Sequence, residues 1–209
     1  MPQRSIGSVE RERDAMIPFR HGRFLVKAIL KMQQSWEMTI SQALSTELFD
    51  VVPTHYETFC PLVSRISADV FRRFNIPANL LPCQLWQASD EGNHVIGFMG
   101  NVPPDKWDGH VVCVTNTLLI DAAVRGLHRD FNFAVPAVAV VERFNTTSHA
   151  IARLDLDGSR RLWWFNPPYG FDTTPPLQPV EMIDEYASAL AARIQARIGE
   201  EPPSMASAA

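Results

Sequence analysis

Three residues whose side chains can cooperate in acyl chemistry occur in the order Cys60, His110 and Asp121. A thiolate can attack an acyl carbon, and an imidazole can take the thiol proton and later return it to the leaving group. A carboxylate beside the imidazole fixes its tautomer and stabilises the imidazolium. The alternative to a nucleophilic Cys60 is a purely structural one, in which it is a small buried apolar residue, as free cysteines often are.

The segment that begins at Cys60 has the pattern of an amphipathic helix. One apolar stripe repeats at helical spacing: Leu62, Val63, Ile66, Val70, Phe71 and Phe74. Polar residues fall mostly elsewhere and are expected at the surface: Ser64, Arg65, Asp69, Arg72 and Arg73. Thr58 is the expected N-cap, Pro61 fits the first turn, and Asn75 is the expected end. Cys60 would then lie near unpaired backbone N–H groups, which favour a thiolate and can hold an oxyanion.

His110 and Asp121 flank a predicted β-hairpin. If Asn116 and Thr117 form a two-residue turn, His110 opposes Ala123 and Val112 opposes Asp121. Side chains alternate along a strand, so His110 and Asp121 share one face as diagonal neighbours, about 7–8 Å apart at the backbone. The three groups meet if the strand from His110 packs against the N-terminus of the Cys60 helix.

This arrangement resembles the transglutaminase-like branch of the papain-like cysteine proteinase superfamily. The resemblance covers roughly residues 55–125, and its motifs are Cys60 opening a helix, the helix exit RRFNIPA at 72–78, the strand GHVV at 109–112, and the return ending at Asp121. It implies a Cys60 nucleophile, a His110 base and an orienting Asp121, with no cofactor and no metal.

The remaining chain indicates helices first, then a sheet, then a closing helix. Helical spacing predicts helices over His21–Gln34 and about Thr39–Phe49, and a last helix from near Val180. Strand-like segments lie between, and Asp157-Gly158 is a hairpin signal. The expected fold class is therefore α+β, with N-terminal helices packed on an antiparallel β-sheet. The resemblance makes this a papain-like or transglutaminase-like fold.

Composition bounds the class of protein. The 209 residues are 46% hydrophobic and 20% charged, which fits one domain over residues 1–209 with loose tails at 1–15 and 200–209. The net charge of −4 and the lack of a basic tract argue against nucleic acid. No apolar run approaches roughly 18 residues and no secretory leader is present, so a cytoplasmic protein without membrane contact is expected.

The other cysteines and the aromatic residues have ordinary readings. Cys83 and Cys113 are expected to be plain strand residues, with Cys113 facing away from His110, and the three cysteines form neither a disulfide framework nor a zinc pattern. A group of aromatic residues is expected in the core, with a substrate-pocket wall as the alternative: Trp163, Trp164, Phe165, Tyr169 and Phe171. Trp107 is expected to border a cleft near His110.

Two functions from different classes fit these observations. One is a cysteine hydrolase, a peptidase or amidase acting on a peptide or small amide or acyl substrate, with acyl transfer to an amine as the related reaction. The other is a non-catalytic binding module, because Pro61 stands where the family often has an aromatic residue, and no Gln precedes Cys60 as an oxyanion donor. That donor is expected from Thr54, His55 or Tyr56, or from the Cys60 N–H.

Overall fold

The computed structural model describes residues 20–103, 106–127, 134–144 and 149–199, with side chains from residue 31. The predicted loose tails at 1–15 and 200–209 lie outside these residues. The chain divides into two compact units between Gln33 and Gln34. Of the first unit, the structure describes the helical backbone of residues 20–33; the site lies in the second unit.

The N-terminal helical region is one continuous helix, α1 (Arg20–Val51), so the prediction of two separate helices is wrong. Residues 35–38 contain neither glycine nor proline, and nothing there interrupts the backbone hydrogen bonds. The helix ends where Pro53 cannot continue it. Its face in the second unit is fully buried at Ile40, Leu44 and Leu48.

Two further helices follow the predicted pattern. A 3-10 turn (Thr54–Tyr56) leads to α2 (Cys60–Arg73), which the apolar stripe predicted, and α3 spans Val180–Ile198. Just beyond α2, Asn75 adopts a left-handed conformation with φ of 58°. Within the described residues, none of the helices is long and apolar enough to cross a membrane.

Seven described strands form one nearly closed sheet, in the order β5-β4-β3-β1-β7-β6, with β2 paired to β1. Every pairing between them is antiparallel. The strands are β1 (Asn79–Ser89), β2 (Gly92–Ile96), β3 (His110–Val114), β4 (Leu118–Asp121), β5 (Ala139–Glu142), β6 (Ala150–Asp157) and β7 (Arg160–Phe165). The fold class is therefore α+β, as predicted.

Two apolar clusters cover the two faces of the sheet. The outer cluster joins the sheet to the helices and includes Leu44, Phe71, Cys113, Ile120 and Leu190. The inner cluster fills the curve of the sheet and includes Cys83, Val112, Leu119, Leu162 and Trp164. Since side chains alternate along β3, His110 shares the inner face with Val112, whereas Cys113 faces away from His110, as predicted, and packs toward the helices.

Candidate active site

The β3–β4 hairpin brings His110 and Asp121 together. Cys113 pairs with Ile120 and Val114 with Leu119, which is the predicted register. His110 Nε2 lies 2.6 Å from Asp121 Oδ2. Both side chains are buried, with His110 4% exposed and Asp121 fully enclosed. A carboxylate at this distance holds the imidazole in one orientation and favours its protonated form.

Asp121 is itself held by two further donors. The Trp164 indole Nε1 donates to Oδ2 at 2.8 Å, and the Ala123 backbone N–H donates to Oδ1 at 2.9 Å. The sequence predicted only core packing or a pocket wall for Trp164. Strand alternation along β7 is the signal that would have indicated its inward direction, but nothing local identifies a hydrogen-bond partner 43 residues away.

Cys60 begins α2 beside the imidazole. Its Sγ lies 3.9 Å from the Gly109 carbonyl oxygen, and the side chain is 7% exposed. Gly109 directly precedes His110, and the Cys60 side chain contributes to raising the pKa of the His110 imidazole. Because Asp121 occupies Nε2, the Nδ1 atom is the one left for the thiol. The structure thus brings the His110–Asp121 pair together and places Cys60 next to Gly109, the residue that precedes His110.

The charges around His110 favour an imidazolium. Burial by itself lowers the pKa of His110, but the charge and hydrogen bond of Asp121, together with the hydrogen bond and charge of Cys60, raise it to about 10. At neutral pH, the His110 ring is therefore positive beside the Asp121 carboxylate. Such a ring can stabilise a thiolate and donate a proton to a leaving group.

Contacts from two neighbouring segments fix the position of α2. Ser64, predicted at the surface, is fully buried, and its hydroxyl donates to the Val111 carbonyl at 2.8 Å. The hairpin register directs the Val111 carbonyl to the β4 side of β3, at a level beyond the end of β4, and there the helix supplies it with a donor. On the other side, Gly126 packs so closely that an added Cβ would lie 2.5 Å from Thr58 Cγ2.

The first turn of α2 differs from the prediction. Its N-cap is Phe59 rather than Thr58, with φ −89° and ψ 72°, close to an inverse γ-turn. Accordingly, the Cys60 N–H donates to the Thr58 carbonyl at 3.0 Å. Pro61 has no N–H, and the Leu62 and Val63 N–H groups donate to the Phe59 carbonyl. The predicted supply of unpaired first-turn donors is thus taken up within the chain.

The predicted oxyanion donors precede this turn. Thr54, His55 and Tyr56 form the 3-10 turn, in which Thr54 and His55 are exposed. The His55 ring packs against Tyr56, with 4.0 Å between ring centroids. Thr54 and His55 therefore lie on the surface ahead of Cys60, whereas Tyr56 is half-buried and packs against the outer cluster.

A tightly folded loop covers the start of β3. Gly97 has φ of 85°, and a Cβ there would lie 2.6 Å from His110 N, so this approach requires glycine. The next residue, Phe98, is buried with φ of 57°, a strained backbone for a bulky residue. Its ring contacts Trp107, whose own ring lies against Gly109. Trp107 therefore borders the site, as the sequence predicted.

The other two cysteines have environments that suppress reactivity. Cys83 lies opposite His110 and is fully buried; burial and the charges of Asp121 and Cys60 raise the pKa of its thiol well above the ordinary range. Burial raises the pKa of Cys113 to about 12. Both thiols stay protonated at neutral pH, so Cys60 is the thiol placed to react.

Neither a metal cluster nor a relative adds to this picture. Among the described residues, no group of three or more His, Cys, Asp or Glu side chains could hold a metal ion. Comparisons with protein-family models, with curated proteins and with solved structures gave no significant match. The function of the site is therefore inferred from its residues.

Proposed function

We propose that this protein is a cysteine hydrolase, a peptidase or amidase that acts through Cys60, His110 and Asp121. One observation carries the proposal: a buried imidazole bonded through Nε2 to a carboxylate, with the Cys60 sulfur at the start of α2 lying 3.9 Å from the carbonyl of Gly109, the residue before His110. We further propose that the fold belongs to the transglutaminase-like branch of the papain-like superfamily. The α+β architecture and the chain order of the three residues support this.

The reaction divides into two steps. The Cys60 thiolate attacks the acyl carbon, and the His110 imidazolium donates its Nδ1 proton to the leaving amine or alcohol as the carbon–nitrogen or carbon–oxygen bond breaks. This leaves a thioester on Cys60 and a neutral imidazole. The imidazole then takes a proton from water, hydroxide oxygen attacks the thioester, and the thiol leaves as thiolate beside the restored imidazolium. An amine in place of water gives acyl transfer.

The binding module is the second candidate, and the first turn of α2 favours it. The Cys60 N–H is engaged by Thr58, and Pro61 has no N–H, so this turn offers a developing oxyanion few donors. A binding module would keep this fold and the three side chains and would bind a ligand without turnover. The three reduced cysteines support the predicted cytoplasmic location for either function.

Acylation by an activated ester tests the proposal. p-Nitrophenyl acetate is mixed with the protein, released nitrophenolate is followed for a burst, and the acetylated residue is identified by mass spectrometry. The hydrolase predicts one acetyl group per chain on Cys60, absent in Cys60→Ser and retained in Cys113→Ala. Added ethylamine that accelerates deacylation would indicate acyl transfer. A folded protein that acquires no acetyl group on Cys60 would establish the binding module instead.

A further inference from the structure

The first part of α1, residues 20–33, has a sequence in which positive charge and apolar residues are concentrated. From residue 15 to residue 36, the chain holds four arginines or lysines and no aspartate or glutamate. Seven of the nine residues from 24 to 32 are apolar, and the other two are lysines. We refer to residues 20–33 as the basic helix segment.

Helical periodicity brings the four cationic positions of this segment together. The backbone is helical throughout residues 20–33, and each residue of a helix advances about 100° around the axis. The cationic positions therefore fall within an arc of about 80°: 20, 23, 27 and 31. The apolar positions are spread around the remaining circumference: 24, 25, 26, 28, 29, 30 and 32. The segment thus has a narrow basic side and a broad apolar side.

Solvent reaches both sides near the end of the segment. Lys31, on the basic side, is exposed, and Met32, on the apolar side, is 66% exposed. Contact between water and an apolar side chain is unfavourable, so a medium that removes Met32 from water would stabilise the bound state. A suitable partner therefore offers an apolar region next to negative charge.

The charge of the basic helix segment contrasts with that of the rest of the chain. The whole chain has a net charge of −4, and the segment contributes +4, so the remaining residues carry −8. A negatively charged surface would attract the segment and repel the rest of the protein. The contrast thus indicates both the sign of the partner and the part of the chain that meets it.

We propose that the basic helix segment binds the surface of an anionic lipid bilayer, with its apolar side among the acyl chains and its cations at the phosphates. Amphipathic helices with lysine and arginine on the polar side lie in the interface in this way. The sequence-based expectation of no membrane contact came from the lack of a long apolar run and of a leader, and surface binding requires neither. The negative charge of the cytoplasmic leaflet agrees with the predicted cytoplasmic location.

Other partners satisfy only one side of the segment. A second copy of the chain could cover the apolar side, but it would leave the cations without counter-charges. An RNA could neutralise the cations, but it would leave the apolar positions in water. A protein with an acidic groove could do both, yet helices that bind grooves use a stripe of anchors, whereas this apolar side is broad. A bilayer surface accommodates the broad side and the cations together.

Co-sedimentation of the full chain with lipid vesicles tests the proposal. Vesicles of phosphatidylcholine with phosphatidylserine should bind the protein, and pure phosphatidylcholine vesicles should bind it far more weakly. Lys27→Gln with Lys31→Gln should weaken binding about tenfold or more, since each cation near an anionic surface strengthens binding about fivefold. Leu25→Gln with Ile29→Gln should also weaken it, because less apolar surface is buried.

A matched control separates the position of the charges from their number. Lys106→Gln with Arg161→Gln removes two cations from exposed positions outside α1 and should leave vesicle binding unchanged. Equal loss in this control, or equal binding to pure phosphatidylcholine, overturns the proposal. Full binding by either double variant in α1 also overturns it. The lysine variant retains good helix formers, so it decides the question even if the apolar variant fails to fold.

Two further probes represent the other partner classes. Calcium-loaded calmodulin offers an acidic protein groove for basic amphipathic helices, and an RNA duplex offers phosphates alone. Binding to either probe without binding to vesicles overturns the proposal. This inference does not depend on the proposed function, because Cys60→Ser should bind vesicles as the wild type does. Failure of vesicle binding and failure of Cys60 acetylation are therefore separate results.

Discussion

His110 Nε2 and Asp121 Oδ2 lie 2.6 Å apart in the interior of a nearly closed sheet, and the same carboxylate oxygen accepts a hydrogen bond from Trp164. The carboxylate thus occupies one ring nitrogen and leaves the other for Cys60. Water has little access to this contact, because both side chains are buried. The electrostatic interaction is therefore far stronger than an exposed pair would provide.

Asp121→Asn should move the basic limb of the pH–reactivity profile. The pKa of His110 is raised to about 10 by Asp121, and by Cys60, against the effect of burial. Since a group with a raised pKa keeps its proton until the pH passes that value, the wild-type imidazolium should persist to about pH 10. The neutral amide should shift this limb to lower pH and reduce hydrolysis by roughly 10²–10⁴-fold. Alkylation and ester hydrolysis across pH measure both effects.

The control for this change is Asp172→Asn, which alters an exposed carboxylate whose main chain receives the Trp107 indole hydrogen bond. It should leave the basic limb in place. An Asp121→Asn protein with the wild-type limb would show that the pair does not set the protonation of His110.

Trp164→Phe should separate packing from orientation. The phenyl ring fills most of the same space but cannot donate to Asp121 Oδ2, so a charge-assisted hydrogen bond worth about 1.5–3 kcal/mol is lost. The catalytic constant should fall about tenfold or more while the Michaelis constant changes little. The control is Trp163→Phe, which makes the same change on the opposite face of the same strand. It should leave the rate of Cys60 acetylation unchanged. Equal effects of the two changes would mean that Trp164 acts only by packing.

Ser64→Ala should loosen the contact between α2 and β3. Its hydroxyl donates to the Val111 carbonyl, and the substitution leaves a buried acceptor with one donor fewer, at a cost of about 1–3 kcal/mol of unfolding free energy. Ser67→Ala is the matched change, because that buried hydroxyl donates within its own helix to Val63. In Ser64→Ala, the free energy of unfolding measured with denaturant and the alkylation rate of Cys60 should both fall. In Ser67→Ala, only the free energy of unfolding should change. An unchanged alkylation rate in Ser64→Ala would show that the Ser64–Val111 hydrogen bond does not help to position Cys60.

Gly126→Ala should displace the segment that leads into Cys60. The new Cβ would lie 2.5 Å from Thr58 Cγ2, a distance that real Cβ atoms do not tolerate. The variant should lose about 1–3 kcal/mol of stability and react more slowly at Cys60. Adding Thr58→Ser removes the clashing methyl and leaves a nearest approach of 3.5 Å, so the double variant should recover. A double variant as impaired as the single one would place the defect elsewhere.

Local patterns were enough to predict the parts of the site that are close in sequence. The two-residue turn at Asn116-Thr117 set the hairpin register, and the register put His110 and Asp121 on one face. The apolar stripe likewise predicted the helix that begins at Cys60. These features depend on period and turn chemistry, which a single sequence carries.

Features that depend on distant partners were missed or wrong. Trp164 meets Asp121 through strands that are separated along the chain, and Ser64 is buried where α2 packs on β3, with its hydroxyl on the Val111 carbonyl. The first turn of α2 follows a γ-turn at Phe59, and no residue preference in this segment predicts that turn. Tertiary contacts determine these features, and the secondary-structure propensities of single residues do not predict them.

The most direct test is the rate at which iodoacetamide modifies each cysteine across pH. The wild type should contain one fast thiol, which disappears in Cys60→Ser and loses its reactivity at low pH in His110→Ala. Cys83 and Cys113 should react slowly, since both are fully buried and their pKa values are raised. Three thiols that react slowly and alike would contradict a thiolate–imidazolium pair and leave Cys60 as an ordinary buried cysteine.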